Sequence, residues 1–176
     1  GLAFKTIPGV FSWDRVDKGS FILSDYIPKD IKGAVADFGS GIGYLSHEML
    51  RASKNISTLY VVEGDARALD CSRENLEGVK GDAVIEYHWH DLSNPLPNVP
   101  PLDFIIMNPP FHQGAKQTIG IGQSFVKNAA HHLRKNGVLM MVANTHLPYE
   151  DSLKQYFASF KIVAQSEGFK VIEAKK

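Results

Sequence analysis

Seven short apolar runs alternate along the chain with segments of helical period, and that alternation leaves few folds open. The runs are Ala34–Asp37, Thr58–Glu63, Ala83–His88, Asp103–Met107, Val138–Ala143, Phe160–Ala164 and Phe169–Ala174. Helical stretches lie between them at about 42–52, 66–76 and 149–157. A longer amphipathic one carries Phe125, Val126, Ala129, Ala130 and Leu133 on one face, with Gly137 as its expected cap. Such a chain requires a mostly parallel sheet covered on both faces through right-handed crossovers. The predicted fold is α/β, a three-layer Rossmann-like sandwich whose seven-stranded, mostly parallel sheet has an antiparallel last strand. Residues 33–176 show no repeat or linker and read as one domain; residues 1–32 read as an N-terminal extension, a loop and a short helix from Gly19 to about Tyr26, packed on it.

Composition narrows the function classes. With 19 Lys plus Arg against 19 Asp plus Glu and 44% hydrophobic residues, the 176-residue chain is neither a disordered tail nor a polyanion-coating protein. The single cysteine, Cys71, excludes an internal disulfide, and no Cys/His group has zinc-ligand spacing, so a metal-free protein of the reducing cytoplasm is expected, with Cys71 as core filler. Phe104–Met107 and Val138–Ala143 fall far short of the roughly 20 apolar residues that cross a bilayer. The N-terminus lacks both an initiator Met and a signal-like apolar stretch, so sequence is expected upstream.

Asp37-Phe-Gly39-Ser40-Gly41-Ile-Gly43 stands where the first strand meets the first helix, so its glycines permit a tight turn that presents backbone amides to a nucleotide-like ligand. Glu63 ends the second strand, where a carboxylate accepts hydrogen bonds from both hydroxyls of a ribose. The spacing is G-x-G-x-G and not the dinucleotide G-x-G-x-x-G, which disfavours NAD. Asp37 suits an ammonium group and repels a pyrophosphate, pointing to an amino-acid-bearing cofactor such as S-adenosylmethionine. Asp91, after the third strand, reads an adenine amine or equally caps a turn.

The sharpest signal is Asn108-Pro109-Pro110-Phe111, at the C-terminal end of the fourth strand, the edge where ligands bind in such sheets. The prolines stiffen the backbone and force the residues before them into extended conformations, so the Asn108 side chain and the carbonyls of Asn108 and Pro109 are fixed acceptors. Fixed acceptors suit an amine on a planar base, and Phe111 supplies a stacking surface. A methyl donor that departs as a neutral thioether demands no strong base, so positioning carries the reaction.

These motifs resemble class I S-adenosylmethionine-dependent methyltransferases, and among them the small-subunit ribosomal RNA guanine-N2 methyltransferases of the RsmC type. The resemblance runs nearly end to end: Pro8-Gly-Val-Phe-Ser-Trp-Asp with Asp17-Lys-Gly19-Ser20, the glycine turn, Glu63, Asn108-Pro-Pro-Phe-His112, Val142-Ala-Asn144 with Leu147-Pro-Tyr149, and Gly168-Phe-Lys-Val171. It implies S-adenosylmethionine held by Asp37, Gly39, Ser40, Gly41, Gly43, Glu63, Asp91 and Asn108, with Gly19 and Ser20 near its amino-acid end. It also implies a guanine held by Asn108 to Phe111, and ribosomal RNA or the small ribosomal subunit as partner of a monomer. Members of the type carry a second, degenerate methyltransferase-like domain upstream, and one is expected here.

Residues 104–149 contain Lys116, Lys127, Arg134, Lys135 and four histidines but no Asp or Glu, so phosphate contact is expected there, although solvating a helix face explains Lys127 and Arg134 equally. His112 and His146 fit RNA or product contact, or plain solvation. Asn144 and Tyr149 fit pocket shaping, or capping and packing. His131 and His132, read as mid-helix neighbours, diverge by about 100° and make no metal site. The alternatives are methylation of adenine N6 or of a protein glutamine amide, and a non-catalytic cofactor-binding or RNA-scaffolding module.

Overall fold

The computed structural model describes residues 3–111 and 116–176. The elements are α1 (Lys18–Ser24), β1 (Gly33–Phe38), α2 (Tyr44–Ala52), β2 (Ile56–Glu63), α3 (Ala66–Glu77), β3 (Val84–Trp89), β4 (Leu102–Met107), α4 (Lys116–His132), β5 (Leu133–Asn144), α5 (Glu150–Tyr156), β6 (Ser159–Ser166) and β7 (Phe169–Lys175). The strands form one sheet in the order β3-β2-β1-β4-β5-β7-β6. All neighbours are parallel except β7, which runs antiparallel to both β5 and β6, as expected from sequence.

Successive strand residues face opposite layers, and the two cores follow from that alternation. Val35, Val61, Phe104, Ile106, Met140 and Val142 pack with Leu45 and Met49 of α2 and Leu69 and Leu76 of α3. Ala36, Val62, Ile105, Met107, Leu139 and Met141 pack with Val126 and Ala129 of α4 and Leu153 of α5 on the other side. Each large side chain so buried contributes about 1.5–3 kcal/mol. Leu23 of α1 lies in the first core, so the segment before β1 shares packing with the sheet. Cys71 sits in a small cluster with Val10, Ile42 and Ala68, as packing residue.

The strand order reverses at β1 and β4, whose crossovers lead to opposite sides and leave a crevice beyond their C-terminal ends. Phe38 pairs with Met107, so the loops beginning at Gly39 and Asn108 leave the sheet side by side.

The end of α4 departs from the expectation. The helix stops at His132, and Leu133 already belongs to β5, opposite Leu102. A register shift between Leu102 and Phe104 absorbs the residues that follow. Asn136, not Gly137, takes the left-handed backbone, with φ 65°. Gly137 serves close approach instead: a Cβ there would lie 2.9 Å from the Arg134 carbonyl oxygen and 3.0 Å from that of Leu102. Leu133 is buried in the α4 core either way, which is why helical periodicity ran past the true boundary.

His131 and His132 therefore close α4, their rings meeting edge-on with centroids 5.0 Å apart. His132 is buried, and its Nε2 accepts from the Leu96 N–H at 3.0 Å. Asn128 Nδ2 donates to the Leu92 carbonyl at 2.6 Å, so α4 pins the loop between β3 and β4 at two points. Accepting from an N–H needs a neutral ring, and burial above all, then His131 and His90, holds this imidazole below its ordinary value. The unfolded chain takes the proton more readily, so the stability from His132 is complete above the unfolded value of 6.5 and is lost as pH falls through the lower folded value. His132→Gln keeps an acceptor near the Nε2 position and is expected to remove that dependence. His132→Leu is expected to cost about 1–3 kcal/mol by stranding the Leu96 N–H. Thermal melts of the three proteins across about pH 5 to 8 check both outcomes.

Candidate active site

Beyond β1 the chain turns through Gly39, Ser40 and Gly41 into α2. Gly39, Gly41 and Gly43 have φ of 77°, 54° and 88°. The Gly39 and Ser40 N–H groups both donate to the Val62 carbonyl, at 2.9 and 3.0 Å, closing the turn against β2. Gly43 has a second duty: a Cβ there would stand 3.0 Å from Ser72 Cβ, so its absence lets α2 and α3 meet.

Three carboxylates expected at this site have different surroundings. Asp37 is fully buried; its Oδ2 accepts from the Ser46 N–H at 2.9 Å and the Ser46 hydroxyl at 2.7 Å. Its Oδ1 is buried with no partner among the described residues. Burial outweighs the Ser46 bonds, Glu63 adds repulsion, and the carboxyl is pushed up to about 7. A cation placed beside this carboxyl would favour its charged form and bring the value back down. Glu63 is half-buried and ties the turn to β2, its Oε2 accepting from the Gly41 N–H at 2.7 Å and its Oε1 from the Asp65 N–H at 2.9 Å. Each oxygen keeps a further lone pair for a hydroxyl donor. Asp91 is exposed, and its Oδ1 accepts from the Ser93 N–H at 2.9 Å. That backbone bond first, with the Ser93 hydroxyl, holds the carboxyl below its ordinary value, so here Asp91 caps a turn. The neighbouring His90 N–H donates to the Glu63 carbonyl, bringing this turn to the end of β2.

At the end of β4, Asn108 is half-buried, Pro109 buried, Pro110 exposed and Phe111 half-buried. Asn108 Nδ2 donates to Asp17 Oδ2 at 2.7 Å and to Ser20 Oγ at 2.8 Å. Asp17 is the N-cap of α1, and its Oδ2 also accepts from the Ser20 N–H at 2.8 Å. The start of α1 therefore closes over the sheet edge. Phe111 meets the His146 ring edge-on, with centroids 5.5 Å apart.

One small cleft, open to solvent, brings the glycine turn, the start of α1 and Asn108 together. Of the residues expected at the site, Ser20, Gly39, Ser40, Gly41 and Asn108 line it. Gly19, Asp37, Gly43, Glu63, Asp91 and Pro109 to Phe111 stand outside its lining. Ser40 Oγ is buried with no partner among the described residues. Asp17, Phe11 and Val16 line the cleft without having been expected to. For Asp17 the signal present was an acid three residues before Ser20, which reads as a helix start.

The segment after β5 is structural in its contacts. Lys170, on β7 and 2% exposed, donates from Nζ to the Leu147 carbonyl at 2.7 Å and to Glu150 Oε1 at 2.5 Å. Tyr149 is buried against Gly122 of α4, and that burial pushes its hydroxyl up to about 12. The Asn144 carbonyl accepts from the Leu147 N–H. Among the cations of the basic segment, Arg134 is engaged by Asp103, whereas Lys127 is exposed on α4. His112 lies outside the described residues.

A family model described as methyltransferase small domain matches residues 1–173. Ribosomal RNA small subunit methyltransferase C of Serratia proteamaculans is 35% identical over 175 residues, and its counterpart in Escherichia coli 37% identical over 176. Those matches cover 98% and 99% of this chain but 48% and 49% of the relatives, so the chain spans about half the length of the curated relatives it matches. Among solved structures, the T. thermophilus 16S rRNA N2 methyltransferase in complex with AdoMet and guanosine superposes with a TM-score of 0.82 at 30% identity, over 98% of this chain and 47% of that one. A precorrin-6y C5,15-methyltransferase from Geobacter metallireducens shares the fold alone, with a TM-score of 0.67 at 15% identity over 98% of this chain and 95% of that one.

Proposed function

This chain belongs to the methyltransferase small domain family, and from that premise we propose that it transfers a methyl group from S-adenosylmethionine to the exocyclic N2 amine of a guanine in small-subunit ribosomal RNA. The observation that carries this reading is the meeting of the glycine turn and the Asn108 side chain in one cleft, at the strand-order reversal. The names of the relatives and of the 30% identical structure support the substrate class over adenine N6 or a glutamine amide, whose nitrogens have similar geometry.

The residues fit the cofactor. Asp37 Oδ1 and Ser40 Oγ are buried polar atoms lacking partners among the described residues, and Glu63 has lone pairs left for ribose hydroxyls. Asp37, Gly39, Ser40, Gly41, Gly43 and Glu63 would hold it, with Asp91 at its adenine and Gly19 and Ser20 toward its amino-acid end. When bound, S-adenosylmethionine supplies an electrophilic methyl on a positive sulfur. Asn108 and the Pro109 carbonyl accept the two hydrogens of the guanine amine and orient its nitrogen, while Phe111 stacks on the base. No titrating side chain is required to take the proton beforehand, so rate comes chiefly from alignment.

In this reading residues 33–176 are the catalytic domain and residues 1–32 an extension that walls the cleft. The protein acts on ribosomal RNA or the small subunit in the cytoplasm, as a monomer, with a second methyltransferase-like domain upstream. No helix among the described residues is long and apolar enough to cross a membrane. The test is to incubate the protein and tritiated S-adenosylmethionine with unmethylated small-subunit rRNA, assembled small subunits, DNA and a release-factor protein. Label recovered as N2-methylguanosine at one site is the expected result. Label on adenine or protein, or cofactor binding with no transfer, would overturn the assignment.

A further inference from the structure

A primary amide has two ends of nearly equal shape and opposite hydrogen-bonding sense, so an asparagine beside a substrate must be told which end to present. At Asn108 that instruction is legible. A carboxylate only accepts, so the atom 2.7 Å from Asp17 Oδ2 is the nitrogen, and its second hydrogen goes to Ser20 Oγ at 2.8 Å. With both hydrogens committed on that side, the acceptor Oδ1 is the end turned away from Asp17. Asp17 is itself held, accepting from the Ser20 N–H at 2.8 Å, and α1 is anchored by buried Leu23. Asp17, Ser20 and Asn108 line the cleft together with the glycine turn.

Building on the proposed amine substrate, we infer that Asp17 is a positioning and specificity residue that locks the Asn108 amide in its acceptor-forward orientation. The lock selects a target nitrogen that carries hydrogens. It rejects groups that only accept, such as the ring N3 beside the guanine amine, because they would face an oxygen lone pair. A neutral partner at position 17 lacks this directing power, since an amide or hydroxyl there bonds either end of Asn108.

The variant Asp17→Asn separates this role from a structural one, because asparagine caps a helix as well as aspartate does. Methylation of unmethylated small-subunit rRNA by Asp17→Asn is expected to show kcat reduced about 100-fold, the scale of a misaligned reacting group, with the KM for S-adenosylmethionine and the melting temperature unchanged. The double variant Asp17→Asn/Asn108→Asp restores a carboxylate facing an amide with the roles exchanged, and is expected to recover most of the lost kcat. Asn108→Asp alone sets two carboxylates together and is expected not to. Wild-type kcat in Asp17→Asn, no recovery in the double variant, or a raised KM for S-adenosylmethionine at constant kcat would each overturn the inference, the last assigning Asp17 to the cofactor's ammonium. Solvent exchange of the Asn108 side-chain amide protons, followed by NMR, gives a readout independent of activity: slow in the wild type and faster in Asp17→Asn. Equal rates would overturn the role of Asp17 whatever the substrate. Faster exchange in a protein that methylates no RNA would overturn the proposed substrate and leave the amide lock standing.

Discussion

Asn108→Ala is expected to lower the methylation rate by about 10²–10³-fold, the loss seen when one preorganised polar group at a reaction centre is removed. The substitution deletes the acceptor that orients the target amine and leaves the Pro109 carbonyl, so residual transfer persists through one contact. Cofactor affinity is expected to stay nearly unchanged, because the glycine turn is built by its own bonds to Val62 and Glu63. Stability is expected to change little, since Asp17 and Ser20 line the cleft and water replaces the lost donor. Single-turnover kinetics beside calorimetric titration of S-adenosylmethionine separate the two effects. Wild-type turnover, or equal losses of binding and rate, would remove Asn108 from the chemistry.

The largest effect on stability is expected at Glu150. Lys170 sits on β7 between β5 and β6, and its buried ammonium has Glu150 Oε1 at 2.5 Å and the Leu147 carbonyl at 2.7 Å. Glu150→Leu leaves that charge with one carbonyl. The cost of breaking such a pair is about 3 kcal/mol, the low end of the range, because the Glu150 side is open enough for water to reach the stranded charge. Glu150→Leu/Lys170→Met removes both charges and is expected to be nearly neutral, so a double-mutant cycle in urea reports strong coupling. Burial raises the Glu150 carboxyl, but the hydrogen bond and charge of Lys170 outweigh it and leave it below the ordinary value. Its contribution is therefore present above the unfolded value of 4.5 and lost as pH falls through the lower folded one. Melts of Glu150→Leu are expected to lack that acid-side decline; a parallel decline in both proteins would exclude the pair as its source.

What sequence alone reveals here depends on the range of the interaction. β4 and β5 are legible because strands buried on both faces read as unbroken apolar runs, as Phe104–Met107 and Val138–Ala143 do. Asn108 and the glycine turn are legible because each is a local backbone device at a strand end. Asp17 is not: it stands beside Gly19 and Ser20 in a motif that carries the resemblance, but its partner Asn108 lies 91 residues away, and an acid three residues before Ser20 reads as a helix start. Phe11, within the Pro8–Asp14 motif, and Val16 lie in a stretch without periodicity, and it is the folded cleft that brings them to the site. Asp91 shows the converse, since the Ser93 N–H that it engages is supplied by the next turn of its own loop. The helix end at His132 escaped because burial of Leu133 satisfies both a last helical turn and a first strand residue.

The position of β7 has a consequence for how the chain is made. β7 follows β6 in order of synthesis yet inserts between β5 and β6, hydrogen-bonding to both. Without it β5 has an open edge and β6 has no strand to pair with, and an unpaired edge of that kind invites pairing with a neighbouring chain. The same late arrival delivers Lys170, so Glu150 stays an unanswered charge until the gap is filled.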